Sequence, residues 1–377
     1  MNMVIKRAIQ PQIQNKMFGG KAIIIYGARQ VGKTTLIKEI QKEYLNESIY
    51  FNCDEPDIRD SFTDVTSTEL KIVIGDKKIV FIDEAQRVRN IGLTLKLLVD
   101  NYPQIQVVAT GSSSFDLSNK IVEPLTGRKY EFLLYPFSSE EIRTMYTELE
   151  MNRLLERRIL FGMYPDIVLN EAGAETTIKE ITKSYLYKDL LQFEQIKNPE
   201  ILEKLLEALA LQIGNLVSYN ELSSLVGINK KTVARYIDLL EKAFVIFRVK
   251  PYSRNLRKEL TKLRKIYFFD TGIRNALINN FNELQLRQDV GNLWENFLIS
   301  ERVKLNNNQG IDANIYFWRT HQKQEIDYLE EKQGKLSAFE LKWSSKKITR
   351  PTTFLQAYPQ SLFELISREN YQRFVLK

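Results

Sequence analysis

Two groups of residues in this chain have the types and spacing for chemistry. The first is Gly27-Ala28-Arg29-Gln30-Val31-Gly32-Lys33-Thr34, a G-x-x-x-x-G-K-[ST] spacing, followed further along by Asp83 and Glu84 at the end of "KIVFIDEAQ". Gly27 and Gly32 let the backbone curl, so that loop N–H groups and the start of the next helix face a chain of phosphates. In that pattern Lys33 reaches the β and γ phosphates of ATP and the Thr34 hydroxyl takes Mg2+. Asp83 is placed to hold the same ion, and Glu84 to polarise an attacking water. Arg29 and Thr35 complete the expected nucleotide contacts. Thr110 or Ser112, at the end of "IQVVATGSSS", would lie beside Asp83 and sense the γ phosphate. Arg128, in "LTGRKYEFLLYPFS", is the candidate arginine finger, acting in cis or from a neighbouring subunit.

The second group lies in "EIDYLEEKQGKLSAFELK", Glu325 to Lys342. If Gln333-Gly334 form a two-residue turn, Lys332 faces Lys335 and Asp327 faces Glu340. Two facing carboxylates repel, so a divalent cation or a lysine must offset them. Lys342 shares their face by the strand period, whereas Phe339 and Leu341 point the other way. Such oxygen ligands suit Mg2+ or Mn2+, and a bound ion lowers the pKa of its water and offsets phosphate charge. Lys342 would orient or deprotonate that water, or stabilise the charge of the phosphoryl group. The other readings left open are solvated charges on a hairpin edge and a fold that persists without activity.

The elements around these residues agree with their roles. Ala22–Tyr26 and the run before Asp83 are short and apolar, as buried parallel strands are. "TTLIKEIQKEY" has helical spacing, with Leu36, Ile37 and Ile40 on one face. Strands and helices alternate to about residue 145, which predicts an α/β sheet. From Ser139 to about Leu211 the pattern is helical, and residues 140–195 read as a lid or linker bundle over the nucleotide side of that sheet. Next comes a helix-turn-helix. Ser218 and Glu221 form a capping-box pattern, Gly227 stops the helix in a left-handed cap, and Asn229 caps a second helix that aligns Val233, Ile237 and Leu240. The apolar strand "FVIFRVK" after it suggests a winged helix, with Lys230, Lys231, Thr232 and Arg235 at the front of the second helix, where DNA would be met. The basic stretch 253–265 adds phosphate affinity. Near the end, "GNLWENFLISERVKL" is helical with Leu293, Phe297 and Leu298 on one side and Glu295 projecting from it; "NIYFWRT", the two hairpin strands, a short helix and a final strand follow.

Composition limits the alternatives. The chain has 377 residues, which predicts two to four domains. A hydrophobic content of 44% supports buried cores. The net charge of +7 agrees with an anionic partner such as nucleic acid. One cysteine, Cys53, excludes an internal disulfide and cysteine-based metal clusters, and reads as a small apolar residue at a strand end. One histidine, His321, reads as a surface turn residue and removes histidine-based triads, zinc sites and nucleases. The start carries no apolar run of signal-peptide length and no window is apolar enough to span a bilayer, so a cytoplasmic protein is expected.

The stretches "IIIYGARQVGKTTL", "YFNCDEPDIR", "VFIDEAQRV", "VATGSSS" and "LTGRKYEFLLYPFSSEE", with "YPDIV", "YLYKDLLQF", "RKIYFFDTGIRNAL" and the hairpin, together resemble an AAA-type ATPase family of bacteria and archaea whose members carry a carboxy-terminal domain of unknown function. The resemblance implies ATP binding and a PD-(D/E)xK, restriction-endonuclease-like end domain. In that motif the hairpin acid is Asp327, the D/E-x-K is Glu340-Leu341-Lys342, and the helix acid is Glu295, so Glu295, Asp327 and Glu340 are the implied metal ligands. The expected organisation is an ATPase domain over 1–145, a helical lid over 146–200, a winged helix over 201–255 and a nuclease-like domain over 256–377. The expected function is ATP hydrolysis whose nucleotide state controls a DNA-engaging, candidate Mg2+-dependent nuclease region. The alternative is a nucleotide-dependent switch or scaffold for a protein partner with an inactive end domain. An oligomer would suit an Arg128 finger given in trans.

Overall fold

The computed structural model describes residues 4–111, 125–185, 199–252, 264–320, 322–344 and 350–376. Ser112, His321 and most of the basic stretch 253–265 therefore lie outside the described residues. The amino-terminal part opens with α1 (Gln10–Gln14), whose Ile13 is fully buried, followed by β1 (Ala22–Tyr26) and α2 (Lys33–Lys42). Then come β2 (Ser48–Asn52), α3 (Pro56–Phe62), α4 (Ser67–Ile74), β3 (Ile79–Asp83), α5 (Ile91–Asn101), β4 (Gln106–Gly111) and β5 (Lys129–Leu133). The sheet order is β2-β3-β4-β1-β5, with every neighbour parallel. All residues of β1, β3 and β4 are buried, because the crossover helices of a parallel sheet cover its faces. β4 separates the strand that leads into the glycine loop from the strand that ends in Asp83.

Four helices follow: α6 (Ser139–Ile142), α7 (Glu148–Phe161), α8 (Pro165–Leu169) and α9 (Ala174–Tyr185). Ser138 with Glu141 and Thr147 with Glu150 form complete capping boxes at the starts of α6 and α7. Of the lid expected over 140–195, residues 186–195 lie outside the described residues, and the described part is only partly over the nucleotide side. Pro165 and Leu169 reach the cavity beside the glycine loop, while α7 and α9 pack against a later helix, α13. Ile178 and Ile181 give α9 the apolar face it buries there.

The remainder builds a second sheet from α10 (Pro199–Leu211), β6 (Leu216–Val217), α11 (Tyr219–Val226), α12 (Lys230–Lys242), β7 (Ile246–Pro251), β8 (Arg264–Phe268), α13 (Thr271–Leu277), α14 (Val290–Gln309), β9 (Asn314–Arg319), β10 (Glu325–Lys332), β11 (Lys335–Leu341), α15 (Thr352–Ala357), β12 (Leu362–Ile366) and α16 (Gln372–Val375). The helix ends are capped where the sequence places them: the Ser218 hydroxyl accepts from Glu221 N at 3.5 Å, Gly227 adopts φ 75°, and Asn229 Oδ1 accepts from Thr232 N at 2.9 Å.

 The sheet order is β12-β11-β10-β9-β7-β8-β6. β7 and β8 are antiparallel neighbours, and β7 also pairs in parallel with β9. The expected domain boundary at 255/256 lies between β7 and β8, outside the described residues, and the strands on its two sides share one sheet. The hairpin β10–β11 has the register read from its turn: Lys332 faces Lys335 and Tyr328 faces Phe339. Gln333 and Gly334 both have positive φ, 50° and 75°, the conformation of a two-residue type I′ turn. One large apolar core runs through both sheets, and a smaller one beneath α15 joins Trp318, Ile326, Leu329, Leu336, Ala338 and Phe354.

Candidate functional site

The glycine loop is shaped by close approach and by backbone hand. A side chain on Gly27 would collide with the carbonyl of Leu134, and Gly32 caps α2 at φ 94°, a left-handed conformation that favours glycine. Lys33 is buried, and its ammonium donates to the carbonyls of Gly27 (2.9 Å) and Ala28 (2.8 Å). Thr34 Oγ1 donates to Asp83 Oδ2 at 2.6 Å. This hydroxyl and carboxylate, side by side at the mouth of the loop, form a hard oxygen donor pair that fits Mg2+. Tyr50 also donates to Asp83 Oδ2 (2.8 Å), and the Thr110 hydroxyl donates to Asp83 Oδ1. Burial, and then the Asp83 carboxylate, push the Tyr50 phenol well up. Glu84 has φ 52°; its N–H donates to Thr110 Oγ1 (3.1 Å) and its carboxylate accepts from Gln86 Nε2 (2.5 Å). The β3–β4 pairing thus brings Thr110, Asp83 and Glu84 together opposite Thr34.

Beside the loop lies a cavity of about 590 Å3, lined by Val4, Ile5, Arg7, Gly32, Thr35 and Leu36 among others. Its wall mixes apolar residues such as Leu36 and Phe137 with polar ones such as Gln10 and Glu39, a lining that fits a purine ring with its polar edge. Arg7 frames it. Its guanidinium donates to Glu141 Oε1 (2.8 Å), to the loop carbonyl of Val31 (2.7 Å) and to the carbonyl of Tyr135 (2.7 Å). The sequence reading missed Arg7, because its partner Glu141 is 134 positions away and neither belongs to a motif.

Arg128 does not reach this site within one chain. β5 runs parallel to β1 with Lys129 beside Ala22, and Ala22 N donates to the Arg128 carbonyl. Arg128 therefore stands at the amino end of the sheet, a full strand or roughly 15 Å from the loop, where it pairs with Asp100 at 2.5 Å. A finger acting in cis is corrected on that ground. Arg29 lies within the loop, Thr35 stands in the first turn of α2 and lines the cavity, and Ser112 lies outside the described residues.

The second sheet carries the other group. Asp327 Oδ2 accepts from Leu341 N at 2.9 Å, and the Lys342 ammonium sits 2.7 Å from Glu340 Oε1 and 3.5 Å from Asp327 Oδ2. Glu295 arrives from α14 but meets a different cation. The Lys265 ammonium, on a side chain 2% exposed, lies 2.8 Å from Glu295 Oε1 and 2.5 Å from Glu325 Oε1. Tyr267 donates to the same Glu295 oxygen at 2.5 Å, and Arg319 pairs with Glu325 Oε2 at 3.1 Å. Burial, then the nearby Asp327 charge, push the Glu295 carboxyl up to about 7 despite Lys265 and Tyr267. Burial and Asp327 also raise the Glu340 carboxyl. Among the described residues no group of three acidic, histidine or cysteine side chains is arranged to hold a metal ion, so the implied ligand set of Glu295, Asp327 and Glu340 does not fit one as it stands. Glu325 was overlooked although it is two positions from Asp327 and shares its face by the strand period; Lys265 gave no such signal.

The first of these sites lies within a stretch that matches a known domain family. Residues 19–143 match an AAA domain family, residues 152–284 a domain of unknown function (DUF8612), and residues 290–370 another domain of unknown function (DUF4143). An uncharacterized protein of Mycobacterium tuberculosis is 27% identical over 351 residues, 91% of this chain and 75% of that protein. An uncharacterized protein of Methanocaldococcus jannaschii is 26% identical over 346 residues, 86% of this chain and 75% of that one. Among solved structures, the Walker-type ATPase of Pyrococcus abyssi is similar with a TM-score of 0.50 and 16% identity, covering 73% of this chain and 96% of that chain. The chain thus carries an AAA-type ATPase domain on an α/β sheet, and none of its described helices is long and apolar enough to cross a membrane.

Proposed function

We propose that this chain is an ATP-hydrolysing AAA-type ATPase whose nucleotide state governs how its carboxy-terminal half engages DNA. Lys33 leaves the loop carbonyls to meet the β and γ phosphates, Thr34 and Asp83 hold Mg2+, and Glu84 orients the attacking water. The ion supplies charge neutralisation on the phosphates. The purine enters the cavity framed by residues 4–7, Leu36 and Leu169. In this reading α10, β6, α11, α12, β7 and β8 form a winged helix, with exposed Lys230 and Lys231 and neighbouring Thr232 and Arg235 presented to the duplex. The run α14, β9, β10, β11, α15, β12 is a restriction-endonuclease-like core. Arg128, half-buried at the sheet's amino end, serves a neighbouring subunit.

One observation carries the control part of this reading. α14 is a single helix that touches the frame of the nucleotide loop at one end and the carboxylate cluster at the other. Asn307 Nδ2 donates to Leu133 O (2.9 Å), Lys304 Nζ to Phe137 O (3.1 Å), and Glu301 accepts from Ser139 N (2.5 Å), while Glu295 meets Lys265. The deciding experiment has two arms. Phosphate release should fall at least about 100-fold in Lys33→Ala and Glu84→Gln; full activity in either removes the hydrolysis assignment. Affinity for a labelled duplex, titrated against salt with ATP or ADP present, should be measurable at low salt and differ between the nucleotides. No binding at low salt would transfer the partner role to a protein.

A further inference from the structure

The four carboxylates at the heart of the second sheet already have their cations. Lys265 bridges Glu295 and Glu325, Lys342 bridges Glu340 and Asp327, and Arg319 holds the second oxygen of Glu325. Glu295 has little left to give. Its Oε1 accepts from both Lys265 and Tyr267, and its Oε2 faces the backbone of Gly214, where an added Cβ would lie 3.4 Å away. Lys265 is also built in: it rises from β8, is 2% exposed and lies 5.6 Å from the centre of the Phe317 ring. Charge gives the same answer. Glu325, Asp327 and Glu340 are matched one for one by Lys265, Lys342 and Arg319, and Glu295 adds at most one negative charge, so a dication added to the cluster overshoots to positive whether Glu295 is ionised or not. Burying an ammonium costs several kcal/mol unless it is paired on this scale, so Lys265 is paired as a structural cation would be.

We propose that Lys265 is the resident cation of this cluster and stands where a divalent ion would otherwise be needed, so that the core holds its shape without metal and binds rather than cuts. The proposal rests on the reading of this region as a nuclease-like core. It denies that core a metal and, with it, cleavage.

The test is a Mn2+ titration of the full-length protein, without nucleotide, following free Mn2+ by electron paramagnetic resonance. Wild type and Asp327→Asn should bind equal numbers of ions, since any ion at the nucleotide loop is common to both. Lys265→Met should gain one equivalent, and the gain should vanish in Lys265→Met combined with Asp327→Asn. One more equivalent in wild type than in Asp327→Asn overturns the proposal, even if the Lys265 variant fails to fold. A folded Lys265→Met chain that gains nothing overturns it too. Plasmid incubated with wild type and Mg2+ or Mn2+ should stay intact; cleavage that Asp327→Ala abolishes would also reject it. Because nucleotide is left out, failure of the Lys33→Ala hydrolysis test would leave this result standing, and the reverse holds.

Discussion

Asp83 shows how single residues set this chemistry. Its two oxygens are claimed by Thr34 and Tyr50 on one side and Thr110 on the other, so the carboxylate is fixed in direction before nucleotide arrives. Thr110 also holds the Glu84 N–H at 3.1 Å. Thr110→Val should therefore lower the hydrolysis rate by roughly 10-fold with little change in nucleotide affinity, while Thr110→Ser, which keeps the hydroxyl, should retain most of it; a loss in Thr110→Ser that Thr110→Val does not show would mean that the methyl group's packing matters instead. Asp289 makes a structural case. It pairs with Arg274 (2.6 Å) and Arg287 (2.8 Å), two buried arginines, the first on α13 and the second just before α14. Burial alone would raise its carboxyl, but the hydrogen bond from Arg287 and the charge of Arg274 bring it down to about 2. A folded-state pKa below the unfolded one gives stability that is present above about pH 4 and is lost as pH falls through about 2; the shift corresponds to roughly 2 kcal/mol. Asp289→Asn should lower the thermal midpoint at pH 7, and the gap should shrink between pH 4 and 2. A gap independent of pH would reject the ion-pair origin.

At the scale of elements, the joints matter more than the helices. α13 starts at Asp270, which accepts from Gly272 N (2.9 Å) and Ile273 N (3.2 Å) and from Met163 N (2.7 Å) across the joint with α7. A side chain on Gly272 would collide with the carbonyl of Phe161. Gly272→Ala should therefore separate α7 from α13 and cost at least about 2 kcal/mol, read as a lower thermal midpoint and faster proteolysis after Phe161; an unchanged midpoint would show that the joint is slack. This joint also marks the limit of what the sequence reveals. β1, β3 and β4 were legible because parallel strands are continuous apolar runs, and the β10–β11 register followed from one turn and a period of two. The caps at Ser218, Gly227 and Asn229 were legible because caps are local. Sheet continuity from β7 to β9 was not, since the basic stretch between β7 and β8 looks like a linker and pairing across distant strands leaves no local mark. Lys265 was invisible for the same reason: a lysine at the head of "RKIYFF" reads as solvated until α14 and β10 are folded around it.

Across the whole molecule, the two candidate sites are joined by a chain of buried polar contacts. Arg7 holds the loop carbonyl of Val31 and also Glu141. Glu141 accepts from Ser138 N (2.9 Å), Ser138 Oγ accepts from Asn308 (3.3 Å), and Asn308 and Glu295 share α14, about 20 Å apart along its axis at 1.5 Å per residue. In the proposed function, a purine entering beside residues 4–7 would displace or fix Arg7, and the helix would pass such a shift on because it is stiff along its length. Contiguity alone does not prove coupling, so the test must separate coupling from folding. The buried pair Glu301–Lys304, each side chain 1% exposed, ties α14 to Ser139 and Phe137. Removing one partner would strand a buried charge at about 3–5 kcal/mol, whereas replacing both leaves no unpaired charge. The variant of choice is therefore Glu301→Gln combined with Lys304→Met. It should keep its thermal midpoint within a few degrees and bind ATP as wild type does. The ratio of duplex affinities in ATP and ADP, expected at about 5-fold or more in wild type for a coupling of 1 kcal/mol or above, should shrink toward unity. An undiminished ratio would send the coupling through another route, with α8 and its Pro165 at the cavity wall the next contact to cut.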